Sequence, residues 1–177
     1  MKSHYSDAPI DSLPNRRTLS VLVDNEPGVL ARIAGLFSGR GYNIESLTVS
    51  ETEHEAHVSR ITIVTTGTAM VIEQIKHQLD RLIPVHRVVD LTVSGDAVER
   101  ELALVKVVGK GEARSEALRI AAVFGARTLD ATLDSFIFEM TGSSEDIERF
   151  IRVMAGLGLA EVSRTGIAAM GRGADHA

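Results

Sequence analysis

The run Thr18-Leu-Ser-Val-Leu-Val23, continued by Asp24-Asn25-Glu26-Pro27-Gly28, decides how the chain is read. Its first six residues are apolar or β-branched, the composition of a buried strand. The next five are turn formers, and Pro27 suits the first position of a helix, where its missing N–H is harmless. Beyond the turn, Leu30, Ile33, Ala34 and Phe37 recur at helical spacing on one face, with Arg32 and Arg40 pointing elsewhere. Gly39 and Gly41 end this helix, and Gly41 suits a left-handed cap.

Working outward, residues 44–50 read as a strand with Leu47 and Val49 on one face. Residues 57–66 read as another, with Ile61 and Ile63 on one face and Val58 and Val64 on the other. The polar segment 51–56 joins them as a hairpin loop. Ile72, Ile75, Leu79 and Leu82 then repeat at helical spacing, Pro84 stops that helix, and residues 85–93 form the last strand. The order is β-α-β-β-α-β, the split βαβ or ferredoxin-like arrangement.

The second half repeats it: strand 102–108, an Ala-rich helix 112–124, paired strands 127–133 and 136–141, a helix after Ser143 or Ser144, and a strand 159–170. The second helix of this half carries Ile147, Phe150, Ile151, Met154 and Leu157 as one stripe, with a serine suited to its N-cap. The expectation is an α+β chain of two consecutive ferredoxin-like domains. A disordered leader occupies 1–15, the first domain 16–94 and the second 97–171. The boundary falls at Ser94-Gly95-Asp96, and a loose tail follows Gly171.

With no tryptophan and 4% aromatic residues, the cores must rest on Val, Ile, Leu and Ala. A net charge of −5, with basic residues scattered, argues against a nucleic-acid footprint. There is no cysteine, which excludes disulfides and thiolate metal sites and fits a reducing compartment. No apolar run approaches the roughly 20 residues a membrane span needs. The leader has neither a signal-peptide apolar core nor the bias of a transit peptide.

Catalytic patterns are weak throughout. His54 and His57 stand among Glu51, Glu53 and Glu55, but residues three apart on a strand do not share a face, so a solvated hairpin is the expectation. Gly109-Lys110-Gly111 precedes a helix without the full dinucleotide or P-loop fingerprint. Ser143-Ser144 lacks a nucleophile elbow and reads as a helix cap. Asp130 and Asp134 flank a turn with nothing to mark an acid–base pair.

The segment 24–30 is more informative. A helix start offers unpaired N–H groups and a partial positive charge, a seat for a carboxylate. Gly28 lets a ligand approach the backbone. Asn25 can donate and accept, which suits a zwitterion, and Val29 and Leu30 could wall an aliphatic side chain. A second amide, Asn43, followed by Ile44, sits where the helix gives way to the next strand, far from the first turn within one chain. Two copies packed edge to edge could bring one Asn43 near the other Asn25. The same residues also read as ordinary turn residues and a helix-start glycine, and residue types alone do not choose.

The stretch from Leu19 to Val49 resembles the N-terminal ACT domain of acetolactate (acetohydroxyacid) synthase small subunits, with Arg-Gly-Tyr-Asn-Ile-Glu-Ser-Leu at 40–47 its most specific piece. Ser59-Arg-Ile-Thr-Ile63, Glu73-Gln-Ile75, Gln78-Leu79, Val98-Glu-Arg-Glu-Leu102, Leu104-Val-Lys106, Arg164-Thr-Gly166 and Ala169-Met-Gly-Arg-Gly173 also resemble that family. The similarity runs over about residues 16–173 and is looser between 109 and 160.

The resemblance implies a cytoplasmic regulatory subunit with no catalytic site of its own. It would pair with itself through ACT domains and bind a catalytic subunit. Thiamine diphosphate, magnesium and FAD belong on that partner, with no cofactor, metal, nucleic acid or membrane on this chain. Feedback inhibition by valine or another branched-chain amino acid would act between two ACT domains, at Asn25, Gly28, Val29, Leu30, Asn43 and Ile44. Two other readings are an ACT sensor serving another enzyme and a small phosphate-hydrolysing enzyme on the same fold, though the first turn is acidic and lacks the basic residue the latter needs.

Overall fold

In the computed structural model, which describes residues 13–53, 57–93 and 97–173, the opening strand β1 (Asn15–Asp24) sits in the middle of a sheet. Its alternation dictates this: Leu19, Val21 and Val23 are almost fully buried on one face, and Thr18 and Ser20 are buried on the other. The remaining elements of the first half are α1 (Val29–Gly39), β2 (Ser46–Glu53), β3 (Val58–Gly67), α2 (Ala69–Asp80) and β4 (Val85–Asp90). The sheet order is β2-β3-β1-β4, with β1 antiparallel to both neighbours and β2 antiparallel to β3. Leu19 faces Ile63 and Val21 faces Ile61 across the central pair. Ile33 and Phe37 of α1 and Ile72, Ile75 and Leu79 of α2 close over them. Each such side chain contributes about 1.5–3 kcal/mol on burial.

The second half holds β5 (Ala97–Val108), α3 (Gly111–Val123), β6 (Arg127–Ala131), β7 (Ser135–Gly142), α4 (Ser144–Ala155) and β8 (Leu159–Gly171), in sheet order β6-β7-β5-β8. The βαββαβ order expected of each half is the order found. Backbone contacts divide the chain into one unit running to Val98 with the residues from Ala169, and a second spanning Glu99–Ala168. The expected boundary at 94–96, the hairpin tip at 54–56 and most of the leader lie outside the described residues.

Several local expectations need correction. Pro27 does not open α1. It precedes Gly28, whose φ of +90° and ψ of −6° place it third in a tight turn closed by the Val29 N–H to the Glu26 carbonyl. Pro then Gly at the two central positions is the type II signature. This sets the helix phase one residue earlier than the sequence suggests, so Val29, Ile33 and Phe37 are buried while Leu30 is 44% exposed. Strand ends also run further than expected: β1 begins at Asn15, inside the supposed leader, and β5 at Ala97. α2 ends at Asp80, so Pro84 sits in the following turn rather than at the stop. The core composition differs too. Phe136, Phe138 and Phe150 are buried in the second unit with Phe124 against them, leaving the first with Phe37.

Ser143 caps α4, its Oγ accepting from the Asp146 N–H at 3.1 Å and donating to Asp146 Oδ2 at 2.6 Å. The turn after α4 brings two backbones together. Gly158 has φ +98°, its carbonyl accepts from the Val108 N–H, and a Cβ there would lie 2.1 Å from the Val108 oxygen. Gly158→Ala is expected to cost at least about 2–4 kcal/mol, from the positive φ and the forced separation of β5 from the turn. Gly156→Ala, at φ −76° with ordinary contacts, should change stability by under about 0.5 kcal/mol. Urea unfolding of the two variants checks the contrast.

Candidate functional site

The turn between β1 and α1 is held by two distant segments and by the first bond of the helix itself. The Asp24 N–H donates to the Pro84 carbonyl at 2.8 Å, the Asn25 N–H donates to the His57 carbonyl at 2.6 Å, and the Arg32 N–H returns to Gly28 at 3.0 Å. His86 Nε2 lies 2.7 Å from Asp24 Oδ1. With its N–H bonded to His57, Asn25 is exposed, close in the chain to Gly28, where an added Cβ would meet nothing within 4 Å. No side chain caps α1 and no acidic residue lies in its first turn. The positive end of the helix therefore faces outward without a built-in anion.

Asn43 is also exposed, on a connector that alternates in and out. Tyr42 packs edge-on against Phe37 at 6.0 Å between ring centroids, and Ile44 packs on the same core. Buried Thr65 donates its hydroxyl to the Asn43 carbonyl at 2.6 Å, and the Glu45 N–H donates to the Val64 carbonyl. Glu45 in turn accepts from Arg16 Nε at 3.2 Å and from the Thr66 hydroxyl. The connector's backbone is fixed so that the Asn43 side chain projects outward.

The structure does not bring these amides together in one chain. Asn43 is anchored level with Thr65, which pairs with Arg17, whereas Asn25 follows Asp24, paired with Val58. At about 3.3 Å per residue, the seven steps from Arg17 to Asp24 separate the two ends by roughly 23 Å. A free amino acid is far shorter. Of the apolar residues expected to wall the site, Leu30 is exposed, Val29 is 4% exposed and committed to the core, and Ile44 is half-buried against it. Among the described residues no group of three or more His, Cys, Asp or Glu could hold a metal, and no helix is long and apolar enough to cross a membrane.

A family model described as an AHAS small subunit-like ACT domain matches residues 19–87, and one for the small subunit of acetolactate synthase matches residues 100–173. The acetolactate synthase small subunit of Aquifex aeolicus is 46% identical over 158 residues, covering 89% of this chain and 81% of that one. The isozyme 3 small subunit of Escherichia coli is 42% identical over 159 residues, covering 89% and 96%. The crystal structure of the acetolactate synthase small subunit from Thermotoga maritima superposes with a TM-score of 0.82 at 36% identity, covering 91% of this chain and 99% of that one. The chain belongs to the acetolactate synthase small-subunit family. This is a family of regulatory subunits that partner a catalytic subunit.

Two segments resembling that family, 98–102 and 164–166, meet through Glu101 and Arg164 in the second unit. Arg164 grips Glu101 with two parallel bonds, Nε to Oε1 and a terminal nitrogen to Oε2, each 2.8 Å. Ser144 donates to the same Oε2 at 3.0 Å, and Glu148 takes another nitrogen of Arg164. The Glu101 side chain is 4% exposed. The hydrogen bonds from Arg164 outweigh desolvation and hold its carboxyl below the usual carboxylate range, and Glu101 in turn raises the guanidinium. The cluster ties the start of β5 to β8 and to the first turns of α4. Local sequence pattern does not announce it. Its one signal is a carboxylate standing two residues before Ala103, in phase with the buried Ala103, Val105 and Val107, while the partner 63 residues away is not readable from local pattern.

Glu101 binds a proton less readily folded than unfolded, so its contribution is present above its ordinary pKa of 4.5 and fades as pH falls through the lower folded value. Urea stability of the second unit should therefore drop below about pH 4.5. Glu101→Gln should flatten that drop while costing about 2–3 kcal/mol at pH 7, because Arg164 keeps only Glu148 and some solvent.

Proposed function

We propose that two copies of this small-subunit chain pair through their first units and hold a branched-chain amino acid, valine foremost, between them. One copy supplies the turn: the start of α1 and Gly28 receive the ligand carboxylate, and Asn25 binds a polar end of the zwitterion. The other copy supplies Asn43. Leu30 flanks the aliphatic side chain, with Val29 and Ile44 backing the walls from the core. The domains responsible are 16–94, the ACT amino-acid-binding domain, and 97–171. The catalytic subunit carries thiamine diphosphate, magnesium and FAD in the cytoplasm and gains activity when this chain binds. Valine favours an arrangement of the pair that activates less well, and the two affinities shift reciprocally, by about 1–3 kcal/mol in typical cases.

The observation carrying this reading is the placement of two exposed, backbone-anchored amides at opposite ends of one sheet. Each is half of a site, and only a second copy completes either. Two such sites arise per pair by symmetry.

A ligand held at about 0.1 mM is bound by roughly 5.5 kcal/mol, so one lost contact of about 1.5–3 kcal/mol is a large share. In reconstituted acetolactate synthase, Asn25→Ala and Asn43→Ala should each raise the inhibitory valine concentration about ten- to a hundredfold with activation retained. Gly28→Asp should do more, by setting a charge against the carboxylate, and Gly28→Ala separates that repulsion from backbone strain. Mixing the two alanine variants should recover partial sensitivity, because a mixed pair keeps one site with both amides. No recovery on mixing, or full sensitivity in folded Asn43→Ala and Gly28→Asp chains, would remove the shared site.

A further inference from the structure

β6 lies at the edge of the second sheet, and all five of its residues are exposed. Edge strands present unpaired N–H and C=O groups that can template another strand. This edge continues into an exposed helix flank. Arg114 of α3 stacks over Phe136 at 4.0 Å and donates to the Thr132 carbonyl at 2.7 Å, just past the end of β6. That fixes which flank of α3 overlooks the strand. At helical spacing Leu118 and Ala122 lie on the same flank, both exposed, and Leu129 of β6 is 47% exposed.

The pattern of charge along β6 is self-complementary. Arg127 pairs with Glu139 and Asp130 with Ile137, both on the sheet face away from the helices. A register shift at Leu129 allows this, since residues three apart in a regular strand would face opposite ways. If a second β6 runs antiparallel alongside, with the two-fold axis between Thr128 and Leu129, each Arg127 faces the other copy's Asp130. Arg127 already reaches Glu139 of β7 at 2.9 Å, and its guanidinium, still largely exposed, would bridge Glu139 and the other copy's Asp130. Both cross-pairs are then attractive, and the Leu118 and Ala122 flanks of two α3 helices are carried toward each other. A parallel neighbour would set Arg127 against Arg127.

We propose that this edge is a second homomeric contact: β6 of one copy pairs with β6 of another, joining two second-unit sheets. The occupant is a second copy of this chain, since a two-fold antiparallel pairing sets Arg127 against Asp130 in both directions at once. The contact is independent of the amino-acid site and involves none of its residues.

The chain has no cysteine, so a single engineered thiol reports on one position. Full-length Leu129→Cys should be joined into dimers by a bis-maleimide spanning about 10 Å, since paired strands lie about 5 Å apart. Val123→Cys, 79% exposed on the other flank of α3, should be joined at least about tenfold less. Adding Asp130→Lys to Leu129→Cys sets like charges across the axis. It should lower cross-linking at least about tenfold, with the circular dichroism spectrum unchanged. Equal cross-linking at 123 and 129, or indifference to Asp130→Lys, overturns the proposal. So does a Leu129→Cys that cross-links to nothing but an added catalytic subunit, which would give the edge to that partner.

Discussion

The length of β1 governs what the first unit can do. A ten-residue strand with Asn25 just beyond one end and Asn43 anchored beside the other keeps the two amides apart by far more than any amino acid can span. The sheet that makes the domain stable also forbids a single-chain pocket between them. A regulatory subunit benefits from that prohibition. Under the proposed two-copy site, a bound ligand would report on how those copies are arranged, and a change of arrangement is what a partner enzyme could sense.

The element order was legible because both units obey simple periodicities. Leu19, Val21 and Val23 alternate with Thr18, Ser20 and Leu22, and Ile72, Ile75 and Leu79 return every three or four residues. Strand ends were not legible. Backbone pairing continues through Asn15 to Arg17 and through Glu51 to Glu53, where the apolar pattern has already stopped. The helix phase was misjudged for a related reason. Leu30 is the larger apolar residue, but the Glu26–Val29 turn sets the phase, and it turns Val29 inward.

For the candidate site, residue type announced the turn but could not reveal how it is held. The bonds to the Pro84 and His57 carbonyls come from distant segments. Nor could it show that Tyr42 and Ile44 face the core while Asn43 faces out. In the second unit the balance reverses. The Glu101–Arg164 pair is a long-range charge arrangement that local periodicity reads as an ordinary strand start. Its full complement of hydrogen bonds makes burial of a carboxylate tolerable.

The irregularity where β1 meets β4 has a mechanical side. Leu22 is opposite Arg87 and Val23 is opposite Val85, so His86 is skipped in the pairing, and its ring reaches Asp24 at the root of the turn. The residue before Val85, Pro84, accepts from the Asp24 N–H. The turn and the head of β4 are thus clamped at two points, like a hinge pin through two leaves. β4 is also the last strand before the chain leaves for the second unit. A displacement of the turn would therefore drag the head of β4 with it, so the two move as one piece inside the first unit.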